Sequence, residues 1–369
     1  MDLSNQHKKQ LLSDVHNTHN YEGDARFLEL ITVFWQKKLI VVFSSIIFSI
    51  FASIYIFFAP EWWNSKAVIT LPQVQDYSDF RLQVAQFQPI LNTYQKDGVI
   101  LIDKTLEEMV KPEVVFDSFI SAFNANYNKR AYLEGTPSFA TNLDKIDIND
   151  KLKVSTYYSL WFNKISARYQ ETTNDRIVVL SASSPTQFGS TTLLREYISF
   201  VTDVVKNNHI KNLKASIDYK TRELLQSELI AVQLAKHSIK NEILITRNSL
   251  KIATSANIVS PLLNFRNEDI FPITLGSSAI KEKLKLLESI DSMQIFEPRL
   301  AQINVKLNLI TQTKVTNKIN FQPFRYLAEP ETPSNKNSPK SMLIIILSIL
   351  IGIMVGLAII AIRHIIKLK

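Results

Sequence analysis

The stretch EPETPSNKNSPKSMLIIILSILIGIMVG, residues 329–356, joins two kinds of chemistry with no transition between them. A polar run holding Pro330 and Pro333 ends in Ser338-Pro339-Lys340 and passes straight into hydrocarbon. From Ser341 to Ile362 the chain carries no charge, and a second such window, Leu39 to Ala59, lies near the other end. About 21 residues at a 1.5 Å rise cover the ~30 Å core of a bilayer, so both windows read as membrane spans. The alternative is a buried soluble helix, but helices apolar on every side at this length are uncommon in soluble domains of this size. A cleaved signal peptide is the other reading of the first window. Some 38 polar residues precede it, its apolar core is long, and Ala59 leads into Pro60-Glu61-Trp62-Trp63 with no small-x-small site. It therefore reads as an uncleaved anchor, with Trp62 and Trp63 as interfacial aromatics.

Lys37 and Lys38 abut the first span, and Arg363, Lys367 and Lys369 follow the second, against Lys336 and Lys340 on its other side. The short-flank rule then places both termini in the cytoplasm and exports the ~280 residues between the spans. The net charge of +8 is spread among acidic residues with no basic block, which argues for a solvated mixed-charge surface and against a nucleic-acid partner. With no cysteine there are no disulfides and no thiolate chemistry.

Between Ser190 and Ser260 there is neither glycine nor proline, and apolar residues recur at helical spacing, as at Leu194, Ile198, Val201 and Val205. One helix of roughly 100 Å follows at 1.5 Å per residue, or two if it breaks at Lys206-Asn207-Asn208-His209. No compact domain of this size buries so long a helix, so it must project and be covered by other helices or by copies of itself. Strands are expected at 65–71 and 176–181, and helices near 88–109, 112–124, 149–168 and 186–205. A helix restarting at a Ser277/Ser278 cap and another from Pro298 to about Thr313 would run back toward the membrane, ending in a short strand at 320–326.

The expected fold is therefore α+β. Two transmembrane helices flank an exported domain made of an α/β membrane-proximal base and a long helical hairpin. Its parts are a cytoplasmic tail (1–38), a first span (39–59), the base (60–189), the long helix (190–260) and a distal loop with return helices (261–319). A base strand and proline-rich linker (320–340), a second span (341–362) and a cytoplasmic C-terminus (363–369) complete it.

Seven glycines and no G-x-x-x-x-G-K-[ST] or G-x-G-x-x-G leave nothing to cradle a phosphate. His7, His16 and His19 lie in the polar tail, and Glu107-Glu108 and Asp147-x-x-Asp150 have no partner nucleophile. No cofactor, metal or catalytic group is expected, and an enzyme is disfavoured. The informative residues are in the membrane. Ser348, Gly352 and Gly356 in the second span, and Ser45, Ser49 and Ser53 in the first, repeat every four residues. Such stripes let helix backbones approach and pack, within the chain or between subunits, though small residues are also tolerated in spans incidentally.

Pro330-x-x-Pro333-x-x-x-x-Ser338-Pro339-Lys340, then eleven residues, then Gly352-x-x-x-Gly356, resembles the proline-rich signature of the Wzz family. These are class 1 polysaccharide co-polymerases, the chain-length determinants of lipopolysaccharide O-antigen. Leu28-Glu29-Leu30 through Lys38, Trp63-x-Ser65-x-Ala67 and Ser183-Ser184-Pro185 also look familial. Phe321-x-Pro323-Phe324-x-Tyr326 is most similar to the FepE-type, very-long-chain members. The chain departs from the family pattern after Gly356, where Leu357-Ala358 stand in place of further glycines and alanines. The resemblance implies a non-enzymatic inner-membrane ring of about eight subunits with a periplasmic bell. Such a ring acts with the Wzy polymerase to set the repeat number of polysaccharide on undecaprenyl-diphosphate. About seven residues after the second span leave no room for the cytoplasmic kinase of the class 2 co-polymerases. Enterobacterial common antigen as the polysaccharide, and a periplasmic adaptor of an export system, are the competing readings. The proline-rich residues and the two small-residue stripes are the expected functional positions, with membrane lipids as the other partner.

Overall fold

The computed structural model describes residues 37–95, 99–143, 146–147, 149–170, 176–261 and 270–367. The tail with its histidines, most of the 28–38 segment, most of the loop after Pro261 and Lys369 lie outside the described residues. The two apolar windows form helices α1 (Lys38–Phe58) and α11 (Ser341–Lys367). Between them β1 (Trp63–Thr70), a 3₁₀ turn (Val74–Tyr77), α2 (Ser78–Leu91), β2 (Thr93–Tyr94) and β3 (Ile100–Leu101) come first. A run of helices follows: α3 (Thr105–Met109), α4 (Pro112–Asn124), α5 (Asn126–Leu133), α6 (Pro137–Leu143) and α7 (Lys151–Phe162). After β4 (Ile165–Tyr169) and β5 (Val178–Ser184) stand the long α8 (Gln187–Ser255), α9 (Gly276–Glu288), α10 (Arg299–Gln312) and β6 (Arg325–Ala328).

The base is a four-stranded antiparallel sheet in the order β4-β5-β1-β6. Alternation decides its faces. Ser65, Ala67 and Ile69 of β1 pair with Ala182, Leu180 and Val178 of β5, and all six point into the core, while Lys66 is exposed on the other face. Helices α4 and α8 cover the buried face with an aromatic layer. Phe119 meets Phe324 at 4.5 Å between ring centroids, and Phe123 meets Tyr197 at 4.8 Å. The Tyr197 hydroxyl donates to the carbonyl of Phe123.

Several sequence expectations change here. Residues 88–109 are not one helix: α2 ends at Leu91, the β2–β3 pair follows, and α3 starts at Thr105. The segment read as helical over 149–168 turns at Asn163 into β4, whose Ile165 and Ala167 are buried on the sheet's core face. Tertiary pairing with β5 overrides the helical pattern there. The helix near 186–205 is the first part of α8, which starts at Gln187 because the Thr186 hydroxyl accepts from the Gly189 N–H. It does not break at 206–209. Lys206 pairs with Asp203, Asn207 and Asn208 point outward, and His209 turns inward between Phe80 and Phe321.

At 1.5 Å per residue, the 69 residues of α8 extend roughly 100 Å. The return is antiparallel: the N–H of Ser277 donates to Ile258 O at the far end, and Lys214 reaches Asn317 near the base. Serine does not cap α9. Gly276 starts it with φ +72°, where a Cβ would lie 2.5 Å from the carbonyl oxygen of Val259, so only glycine fits the turn.

Candidate functional site

The linker 329–340 is a strap along the base. It crosses beside the exit of α1, where the N–H of Trp62 donates to Ser338 O at 2.9 Å and the N–H of Asn337 donates to Trp62 O at 2.8 Å. The last residues before the second span are thus bonded to the first residues after the first. Prolines lack an N–H, so this segment cannot form a ladder of its own. Its carbonyls are met by side chains instead: Ser65 and Thr191 donate to Glu331 O, and Gln187 donates to Pro333 O. Pro330 and Pro339 are buried, Pro333 and Ser338 are half-buried, and Lys340 is exposed. Lys336 closes the strap with an exposed ion pair to Glu61 at 2.7 Å. Trp62 meets Trp161 edge to face at 5.8 Å, and the Lys164 ammonium lies 4.3 Å from the Trp62 ring centroid, so this tryptophan is packed into the base.

Within the hydrocarbon, α1 and α11 pack against each other. Ser348, Gly352, Gly356 and Ile360 form the buried stripe of α11. A Cβ on Gly352 would stand 2.5 Å from Ser45 Cα, and one on Gly356 would stand 2.7 Å from Val41 Cα. Backbone meets backbone at both points, and any side chain there must push the helices apart. The Ser44 hydroxyl donates to Gly352 O at 2.8 Å across the seam. Ser45 and Ser49 are half-buried beside it but donate within their own helix, to Val41 O and Ser45 O.

Ser53 is exposed and outside the seam. The buried positions of α1 are Ser44 and Ala52, so its seam keeps a four-residue stride one residue, or about 100°, out of phase with Ser45, Ser49 and Ser53. Ser44 was not singled out from sequence. The Ser44-Ser45 doublet was the available signal, since adjacent polar groups in a span need two different satisfactions. Asp76 is the other missed position. It closes a capping box with Gln73 and holds Arg325 through a two-pronged pair, fixing the 3₁₀ turn to β6 above the linker.

Two terminal spans strapped to a sheet that carries a projecting helical hairpin define a class. It is the fold of a full-length bacterial polysaccharide co-polymerase, to which this chain is similar with TM-score 0.60, 22% identity, and coverage of 91% of this chain and 97% of that one. A family model described as Wzz, chain length determinant protein, matches residues 26–113. Over those residues the chain is similar to the Wzz chain length determinant family, and over most of its length it is similar to two relatives. Ferric enterobactin transport protein FepE of Escherichia coli (strain K12) is 25% identical over 355 residues, covering 93% of this chain and 89% of that one. The Chain length determinant protein of the same strain is 25% identical over 340 residues, covering 91% of each. One solved structure, 20% identical over 75% of this chain and all of that one with TM-score 0.47, is described as a Wzz dodecamer.

Proposed function

We propose that this protein sets the modal length of a surface polysaccharide, lipopolysaccharide O-antigen, as a homo-oligomeric inner-membrane scaffold and not as an enzyme. Its exported domain would stand in the periplasm with both termini in the cytoplasm. Its partners would be further copies of itself, the Wzy polymerase and the growing chain on undecaprenyl-diphosphate. The observation that carries the reading is the closed loop of contacts at the membrane. The strap bonds Ser338 to Trp62, and the seam brings Gly352 onto Ser45, so base and spans form one unit. A change in how subunits pack in the base must therefore reach the membrane, where a polymerase would meet it.

Deleting the gene and restoring it on a plasmid tests the function. Loss of the modal band and its return on lipopolysaccharide gels is expected, and an unchanged ladder refutes the reading. Joint Gly352→Leu and Gly356→Leu substitution tests the seam. The ladder should shift or broaden while the exported domain stays resistant to protease, and a normal ladder removes the seam from the mechanism. The name of the FepE relative favours a second reading, a transport-associated subunit. In that case siderophore uptake or export fails and polysaccharide length does not change. A determinant for enterobacterial common antigen would alter that polymer's ladder alone.

A further inference from the structure

Some 50–65 Å along α8 from its start, at 1.5 Å per residue, a cleft opens between α8, α10 and β2. It has two hollows that share Gln302 and Lys306 of α10 as a common wall. One, of about 330 Å³, is the more polar of the two, lined by Lys220, Glu223, Ser227 and Arg299 beside the aliphatic Leu224 and Ile230. Its neighbour, about 300 Å³, is apolar and lined by Pro89, Tyr94, Val305 and Leu309. Small-ligand sites typically span about 300–1,000 Å³ and combine an apolar wall with a few converging polar groups.

The charges do not cancel. Arg299 forks onto Glu297, and Lys220 pairs with Glu223 at 2.8 Å with only 14% of its side chain exposed. Lys306 meets a backbone carbonyl, Asn92 O, and the face of Tyr94, 5.6 Å from the ring centroid, rather than a carboxylate. Burial, and next the neighbouring Lys220 ammonium, push Lys306 below the ordinary lysine value, with Glu223 opposing. A partly buried ammonium hydrogen-bonded to a backbone carbonyl and not to a carboxylate leaves room for an anionic partner.

A sugar ring bearing a carboxylate satisfies each part of this cleft. Its C–H face suits Tyr94 and the apolar hollow, its hydroxyls suit the polar hollow, and its charge suits the shared wall. An acidic peptide fits less well, because peptide docking needs a free strand edge or one continuous apolar groove, and here polar and apolar halves lie on opposite sides of Lys306. We propose that the cleft between α8, α10 and β2 binds an acidic sugar unit of the polysaccharide, with its carboxylate on Lys306 and its ring against Tyr94. The proposal rests on the polysaccharide reading above.

The test is calorimetric titration of the full-length protein in detergent with three probes: oligogalacturonate, neutral malto-oligosaccharide and oligoglutamate. Oligogalacturonate should bind and the neutral sugar should not at the same concentration. Lys306→Gln and Tyr94→Leu should each weaken binding about tenfold or more, as loss of one charge-assisted or ring contact would. Lys306→Arg, which keeps the charge, should retain binding and so separates loss of the site from loss of the fold. No binding to the wild type, or undiminished binding by both weakening variants, overturns the proposal. So does oligoglutamate binding that depends on Lys306 but not on Tyr94, which would mark a peptide site. Should gene deletion leave every polysaccharide ladder unchanged while Lys306-dependent oligogalacturonate binding persists, the cleft stands and the functional reading falls. Altered ladders with no titratable binding overturn the cleft and leave the functional reading standing.

Discussion

The two halves of α8 are one helix under two regimes. From Gln187 to Ile217 its inward face is Leu194, Tyr197, Ile198, Val201, Val205, Ile210 and Leu213, large side chains sunk into the aromatic core of the base. Beyond Tyr219 the buried positions shrink to Ala231, Ala235, Thr246, Ser249 and Ala253, with Leu224 the last large one. Leu225, Leu229, Ile230, Leu234, Leu244 and Ile252 stay exposed over the same stretch. Small residues let α9 and α10 lie close in a thin layer that leaves half the helix uncovered. The proximal half is completed within one chain. The distal half leaves a row of apolar side chains exposed, as the homo-oligomeric scaffold proposed above would need.

This contrast can be broken by measurement, starting with the core. Phe119→Ala should destabilise the exported domain by about 3–5 kcal/mol, read by denaturant unfolding, because it empties a fully buried site packed on Phe324. A loss under about 1 kcal/mol would show that the base is not the rigid half. Asp76→Ala removes both a cap and the Arg325 pair, and about 1–2 kcal/mol is expected from the same assay.

The effect at His209 is smaller and confined to acid. Burial holds its imidazole below the ordinary value, so the folded state stays neutral where the unfolded chain, near pH 6.5, takes a proton. Its contribution is complete above about pH 6.5 and is lost as pH falls below that value. His209→Gln should flatten the pH dependence of stability below about pH 6.5, and an unaltered slope would show the ring is charged in place. Leu229→Ser should change monomer stability by less than about 0.5 kcal/mol, since the side chain is 67% exposed, yet reduce assembly in analytical ultracentrifugation. Unchanged assembly would mean that this face of the distal half meets no other copy.

Much of the scaffold was legible because it depends on local period and composition. The glycine- and proline-free run carried a helical period, with a break at 206–209 left open, and the uncharged windows had the length and composition of spans. The β2–β3 pair was missed although Asp97-Gly98, a hairpin dipeptide, sat between its strands in the sequence. Strand β4 was missed because Ile165-Ser166-Ala167-Arg168-Tyr169 alternates for only five residues after a helix with no break residue between them. In the candidate site, the spacing of Gly352 and Gly356 marked a close approach, but not what they approach.

By itself, then, the sequence determined the extent of its longest helix, the positions of its spans and the spacing of its small residues, all of which follow from neighbours a few positions apart. Only the tertiary structure decided that Ser44 and not Ser53 enters the seam, with its bond reaching across 308 positions. The same holds for the strap from Ser338 to Trp62 and for the meeting of Tyr94, Lys220 and Lys306 in one cleft. The physical reason is that such pairings depend on how whole elements rotate and stack once their apolar faces are buried, and no local pattern records that rotation.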